Sequence, residues 1–282
     1  MAVKFIVDSA SDILPNEAKE LGIIHLPLTV LFGETEYRDA VDMTHAEFYE
    51  KLIESDVLPT TSQIPPATFE AAYKNVIENG DEAVVVTVSS KLSGTYQSAV
   101  IAAENYADKV FVVDSLNVSL GERILIERGL ALKASGLSAS EISEKLNEEK
   151  TSIRVMALLD TLEYLKKGGR ISTAVAFAGG LLSIKPVIAL EDGEVVLVGK
   201  ARGSKQGNNL LRQLVEKCGG IIFENPLCLA YSGLSDAMLL KYIDDSRELW
   251  ADHVDDLPIK TVGCAIGTHA GPGAVAVSFF EN

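Results

Sequence analysis

The sequence predicts an α/β protein in which a parallel-sheet domain packs on a second, α+β domain, and three observations carry that prediction. Apolar runs alternate with helical segments from residue 67 to residue 114, the pattern of right-handed βαβ units. After residue 153 the pattern changes to paired apolar runs around Glu191-Asp192-Gly193, and Asp-Gly between such runs marks a hairpin. The strand at 83–88 runs into Ser89-Ser90-Lys91-Leu92-Ser93-Gly94-Thr95, and open parallel sheets bind ligands at such strand ends. The domains are therefore read as 1–152 and 153–282, with the ligand crevice between them.

Each element has a local reason. Val3 to Val7 is a buried strand that ends in the turn Asp8-Ser9-Ala10-Ser11-Asp12, and Pro15 opens a helix. Ile23 to Val30 reads as one strand. Thr44 and Glu47 stand at capping-box spacing for a helix to about Glu54. Prolines in 56–66 hold extended backbone while Thr60, Thr61, Ser62 and Gln63 present polar groups. Helix 67–79, strand 83–88, helix 94–106, strand 110–113 and helices 119–135 and 139–149 complete the first domain. In the second come an Ala/Gly-rich apolar helix to Leu182, the hairpin 184–190/194–200, helix 204–217, strand 227–231 and helix 235–250. Two last strands then flank the 267–273 loop.

Composition removes several functions. A net charge of −15 argues against nucleic acid or an anionic membrane surface as the main partner. Cys218, Cys228 and Cys264 lie far apart in or beside apolar runs, so they read as buried thiols and not as a disulfide framework or metal cluster. There is no targeting segment and no apolar run of membrane-spanning length, so a soluble cytoplasmic protein is expected. Walker A, dinucleotide and H-E-x-x-H motifs are missing.

The candidates for chemistry are few. Ser93 either caps the helix after it or faces an anion, and both readings stand open. His269 sits among small residues, Gly267 to Gly273, where glycines permit close approach to a ligand. A hydrolase would pair Ser93 with His269 and either Asp8 or Asp114, although the G-x-S-x-G elbow is missing. Between residues 166 and 212, eight basic residues stand against three acidic ones, a local reversal of the overall charge. Lys166, Lys167, Arg170 and Arg202 belong to it.

Together these stretches resemble the DegV family, whose members include the fatty-acid-binding subunits of bacterial fatty acid kinases. The resemblance runs through Asp8-Ser9 with Asp12, Thr61-Ser62-Gln63, Ser89 to Tyr96, and Asp114-Ser115 with Ser119 and Gly121. It continues in Gly168 to Ser172, Leu182 to Pro186, Ala201-Arg202-Gly203, and Gly267-Thr268-His269 with Gly271-Pro272-Gly273. It implies a DegV-like fold with a long-chain fatty acid enclosed between the domains. Its carboxylate would meet Thr61 and Ser93, with Ser62, Gly94 and His269 close by. Ala174, Phe177, Ala178, Leu181 and Ile188 would line the tail. Each buried methylene contributes about 0.8 kcal/mol, so the tail supplies most of the affinity.

The resemblance also implies a separate ATP-dependent kinase subunit that phosphorylates the carboxylate, and an acyltransferase that takes the acyl phosphate into phospholipid synthesis. The chain is then a carrier that needs no cofactor. Lys166, Lys167, Arg170 and Arg202 would face the kinase or the phosphate, Arg170 having domain locking as its alternative role. Two departures from the family pattern stand out: Ile64-Pro65-Pro66 replaces a frequent Pro-Ser-Pro, and Arg123 stands where a glycine is common. The competing readings are a Ser93/His269 lipid or ester hydrolase and a lipid-bound regulatory protein.

Overall fold

The computed structural model describes residues 1–171 and 184–282. Among them the strands form three sheets. The first is parallel throughout, in the order β2-β1-β6-β7, from Ile23–Leu26 (β2), Val3–Asp8 (β1), Glu82–Thr87 (β6) and Val110–Asp114 (β7). A small antiparallel sheet joins Thr29–Phe32 (β3) to Thr35–Arg38 (β4) and Thr60–Ser62 (β5). The third sheet is mixed, in the order β10-β9-β8-β13-β11-β12. Its strands are Ile153–Leu158 (β8), Ile184–Glu191 (β9), Glu194–Arg202 (β10), Cys228–Tyr231 (β11), Ile259–Thr261 (β12) and Val275–Phe280 (β13).

Most local expectations hold. Thr44 and Ser138 each head a helix with a complete capping box. The β9–β10 turn is Asp192-Gly193, with φ of 49° and 83°, as a tight hairpin matching the strand twist requires. The run Ile23 to Val30 differs, because it divides into β2 and β3. Pro27 has no N–H for a ladder, and the next amide, Leu28 N–H, leaves the sheet and donates to Ser9 Oγ at 3.0 Å. A second difference concerns His269, which lies in the last turn of the helix Cys264–Ala270 and not in a loop. Asp39 caps that helix from far along the chain, accepting from Cys264 N–H and Ala265 N–H at 3.1 Å each.

The six-stranded sheet has two unlike faces. Met156, Leu158, Val187, Val275, Val277 and Phe279 pack under the helices Gly203–Lys217 and Ala237–Asp245. The alternate residues point the other way. Register places Ala157 beside both Ile188 and Ala276 on this inner face, toward the first sheet. Alanines where the outer face carries Val, Leu and Phe leave room between the sheets. The helix Leu120–Ala134 runs through this zone and is buried on nearly every side.

Arg123, one of the two departures from the family pattern, is 1% exposed. It pairs with Glu17 and, at 3.0 Å, with Glu127, and donates to the Asp12 carbonyl. Among the described residues no helix is long and apolar enough to cross a membrane.

Candidate functional site

The room left by the inner face is a cavity of about 230 Å³ between the sheets. Its walls are mainly apolar, with Val155, Ala157, Ile188, Leu190, Ala274 and Ala276 from the six-stranded sheet. Leu28, Val88, Leu92, Val118 and Leu120 close it from the other side. Ile188 lines this cavity, whereas Ala174, Phe177, Ala178 and Leu181 lie outside the described residues.

Thr61, Ser62, Ser93, Gly94, His269 and Arg170 all line this one cavity. Pairing of β5 with β3 puts Thr61 opposite Val30, and the helix Cys264–Ala270 brings His269 Nε2 to 2.9 Å from Thr61 Oγ1. Burial, then the charge of Arg170, push the His269 pKa down to about 4, so the ring is neutral near pH 7. Its buried Nδ1 has no hydrogen-bond partner. A buried N–H without an acceptor is the costlier orphan, so the network assigns the proton to Nε2, which donates to Thr61 Oγ1. The Thr61 hydroxyl is then free to donate into the cavity.

Ser93 Oγ lies 2.9 Å from Thr95 Oγ1 and accepts from Thr95 N–H at 3.3 Å. Either hydroxyl of the Ser93–Thr95 pair can donate to the other, and by accepting from Thr95 N–H Ser93 also steadies the start of the helix Thr95–Ala103. The N-cap of that helix is Gly94 and not Ser93, which stands one residue before it. Gly94 has to be small, because a Cβ there would collide with the Gln63 carboxamide, which donates to Ser98 Oγ at 3.0 Å.

Arg170 is half-buried and spends its guanidinium on two carbonyls, Leu92 O at 3.1 Å and Gly168 O at 2.6 Å. It ties the loop after β6 to the loop after the helix Glu163–Lys167. Lys166 and Lys167 are exposed and share a surface depression with Lys200, Lys167 also pairing with Glu163 at 2.7 Å. Arg202 is exposed as well, its N–H donating to Gln206.

The described lining holds one imidazole and no carboxylate or thiol. His269 bonds to Thr61, while Asp8 accepts from Ala10 and Val88 and Asp114 from Ser90 and Leu116. The Ser93–His269–Asp arrangement of a hydrolase is therefore not formed. Chemically, the site offers hydroxyl and N–H donors to an anion at one end and hydrocarbon elsewhere. Sequence reasoning missed most apolar lining residues, such as Val155 and Ala274. Their only signal was two-residue alternation, which any half-buried strand shows.

Residues 2–282 match the family model described as "Uncharacterised protein, DegV family". A DegV domain-containing protein of Caldanaerobacter subterraneus subsp. tengcongensis is 33% identical over 286 residues, covering 99% of each chain. The DegV family protein of Thermus thermophilus, whose structure is described as fatty acid binding, is 31% identical with a TM-score of 0.87, covering all of both chains. The Streptococcus pneumoniae fatty acid kinase B3 protein, loaded with linoleic acid, has a TM-score of 0.86 over all of both chains at 23% identity, a likeness of fold alone.

Proposed function

The chain belongs to the DegV family, and on that premise we propose that it is a long-chain fatty-acid carrier. The tail occupies the apolar cavity, and the carboxylate accepts from the Thr61 and Ser93 hydroxyls beside Ser62, Gly94 and His269. One observation carries the reading: a mainly apolar cavity between two sheets is lined by Thr61, Ser62, Ser93 and His269, with no carboxylate in its described lining. A neutral His269 suits an anion held by hydrogen bonds, since it supplies a donor without a competing ion pair. The fatty-acid binding ascribed to the Thermus thermophilus protein supports the ligand class.

The finer reading is that a separate ATP-dependent kinase subunit phosphorylates the presented carboxylate and that an acyltransferase consumes the product. The chain is then a cytoplasmic binding subunit without a cofactor. Missing nucleotide motifs support this division of labour, and exposed Lys166, Lys167 and Arg202 are its docking candidates. Arg170, turned inward onto Leu92 and Gly168, joins the halves at the head-group end. The proposed domain boundary stays between residues 152 and 153.

Native mass spectrometry of freshly purified protein, followed by identification of what denaturation releases, tests the ligand. One long-chain fatty acid per chain is expected. An empty protein that also refuses added fatty acids overturns the reading.

A further inference from the structure

A second group of reactive side chains lies outside the cavity, and fatty-acid binding makes no use of it. Asp39 follows β4, His45 opens the helix His45–Glu54, and Cys264 opens the helix Cys264–Ala270. A carboxylate oxygen, an imidazole nitrogen and the cysteine sulfur from these three segments lie within 4.8 Å of one another. Oxygen, nitrogen and sulfur donors in one cluster are the ligand set of a borderline divalent ion. We infer that Asp39, His45 and Cys264 form a transition-metal site of the Zn²⁺ type, with water as fourth ligand.

The surroundings are those of a built site. Asp39 is 1% exposed, and its carboxylate is held by Ser9 Oγ at 3.0 Å and by Cys264 N–H and Ala265 N–H at 3.1 Å. Such outer bonds orient metal-ligating carboxylates. Cys264 Sγ lies 3.9 Å from Met43 O and 4.0 Å from Thr44 O, and its thiol hydrogen-bonds the Asp39 carboxylate that would share the metal with it. His45 is half-buried and lines a separate groove with Asp12, Ala40, Thr44, Tyr231 and Lys260, which gives ion and water access. Around tetrahedral zinc the ligand atoms stand roughly 3.3–3.6 Å apart. Closing the cluster from 4.8 Å therefore takes a shift of about 1 Å, within reach of a rim histidine. As the sulfur–metal bond forms, the Cys264 S–H bond breaks and its proton passes to solvent.

Occupancy would reach the cavity through a short path. Cys264 and His269 share one seven-residue helix, so a metal tying its first residue to Asp39 and His45 would steady the Thr61–His269 pair at its other end. The inference does not depend on the fatty-acid reading.

The test uses the full chain, stripped with a chelator and titrated with Zn²⁺ by calorimetry, and in parallel with Co²⁺ by absorption spectroscopy. One Zn²⁺ per chain and a thiolate-to-Co²⁺ charge-transfer band are expected. His45→Gln, a substitution at the groove rim, should weaken Zn²⁺ binding at least tenfold, and Cys264→Ser should abolish the band. Absence of saturable Zn²⁺ binding, or binding and spectra unchanged in His45→Gln, would overturn the site. Fatty-acid content measured on the same preparations separates failure of this site from failure of the carrier reading.

Discussion

The loop after β1 and the loop after β6 are both serine-rich and leave the same edge of the same sheet, yet the first carries two carboxylates and is sealed while part of the second lines the cavity. From Asp8 to Asp12, Asp8, Ser9, Ser11 and Asp12 are 0–4% exposed, and their oxygens are all spent inside the protein. Asp8 accepts from Ala10 N–H and Val88 N–H, Ser9 donates to Asp39, and Asp12 accepts from Ser119 Oγ and Gly263 N–H. In the second loop Ser93 and Gly94 line the cavity. What separates the loops is what covers them: segments at 39, 119 and 263 fold over the first, and an alanine-faced sheet stands back from the second. The first loop wires the lobes together, and the second borders open space.

The sharpest way to break this contrast is Asp8→Ala. Two buried N–H groups lose their acceptor, at roughly 1–3 kcal/mol each, so the melting temperature should fall by about 10 °C in a calorimetric scan. A melting point within a degree of the wild type would show that the first loop is not the wiring. Thr61→Ala and Ser93→Ala should behave in the reverse way. Each removes one hydrogen bond to an ionised group, about 1.5 kcal/mol or tenfold in Kd for a fatty acid, with a smaller fall in melting temperature than Asp8→Ala because each gives up one internal acceptor and not two. Equal affinity of both variants and wild type in a fluorescent-ligand displacement assay would dismiss the head-group assignment.

The first loop and the cavity-lining His269 should also respond to pH with opposite signs. Burial raises Asp8 and Asp12 to about 7, so the folded state holds more protons than the unfolded state above pH 4. Their stabilising contribution is complete below their unfolded pKa of 3.8 and is lost as pH rises toward 7. His269 is depressed from 6.5 to about 4, so its contribution is complete above 6.5 and is lost as pH falls toward 4. Melting curves from pH 4 to pH 8 should therefore decline less steeply in Asp8→Asn, where Asp12 still contributes, and rise less steeply in His269→Gln. Parallel curves for both variants would remove the contrast. The smallest effect belongs to Gly94→Ala, whose methyl group pushes the Gln63 carboxamide off Ser98 and should weaken fatty-acid binding about threefold. Unchanged affinity there would mean that Gln63 takes no part in closing the head-group end.

Much of the fold was legible because local rules write it. Capping boxes at Thr44 and Ser138, the Asp192-Gly193 turn and the apolar runs of β1, β6 and β7 depend on neighbours a few residues away. Thr61, Ser93 and His269, singled out through family resemblance, line one cavity. His269 on a helix was not legible, because Asp39, 230 positions earlier, supplies the cap. For Arg170 the sequence left docking and domain locking both open, and its carbonyl acceptor Leu92 O leaves no mark in composition.

By itself, then, the sequence determined the parallel sheet, the hairpin and the hydroxyl-rich loops, since backbone preference and side-chain period act over a few residues. Tertiary structure alone decided which hydroxyls stay free, which carboxylates are sealed and where space remains. Those outcomes depend on contacts between segments far apart in the chain: Ala157 beside Ile188 and Ala276, His269 against Thr61, and Asp39 beneath Cys264.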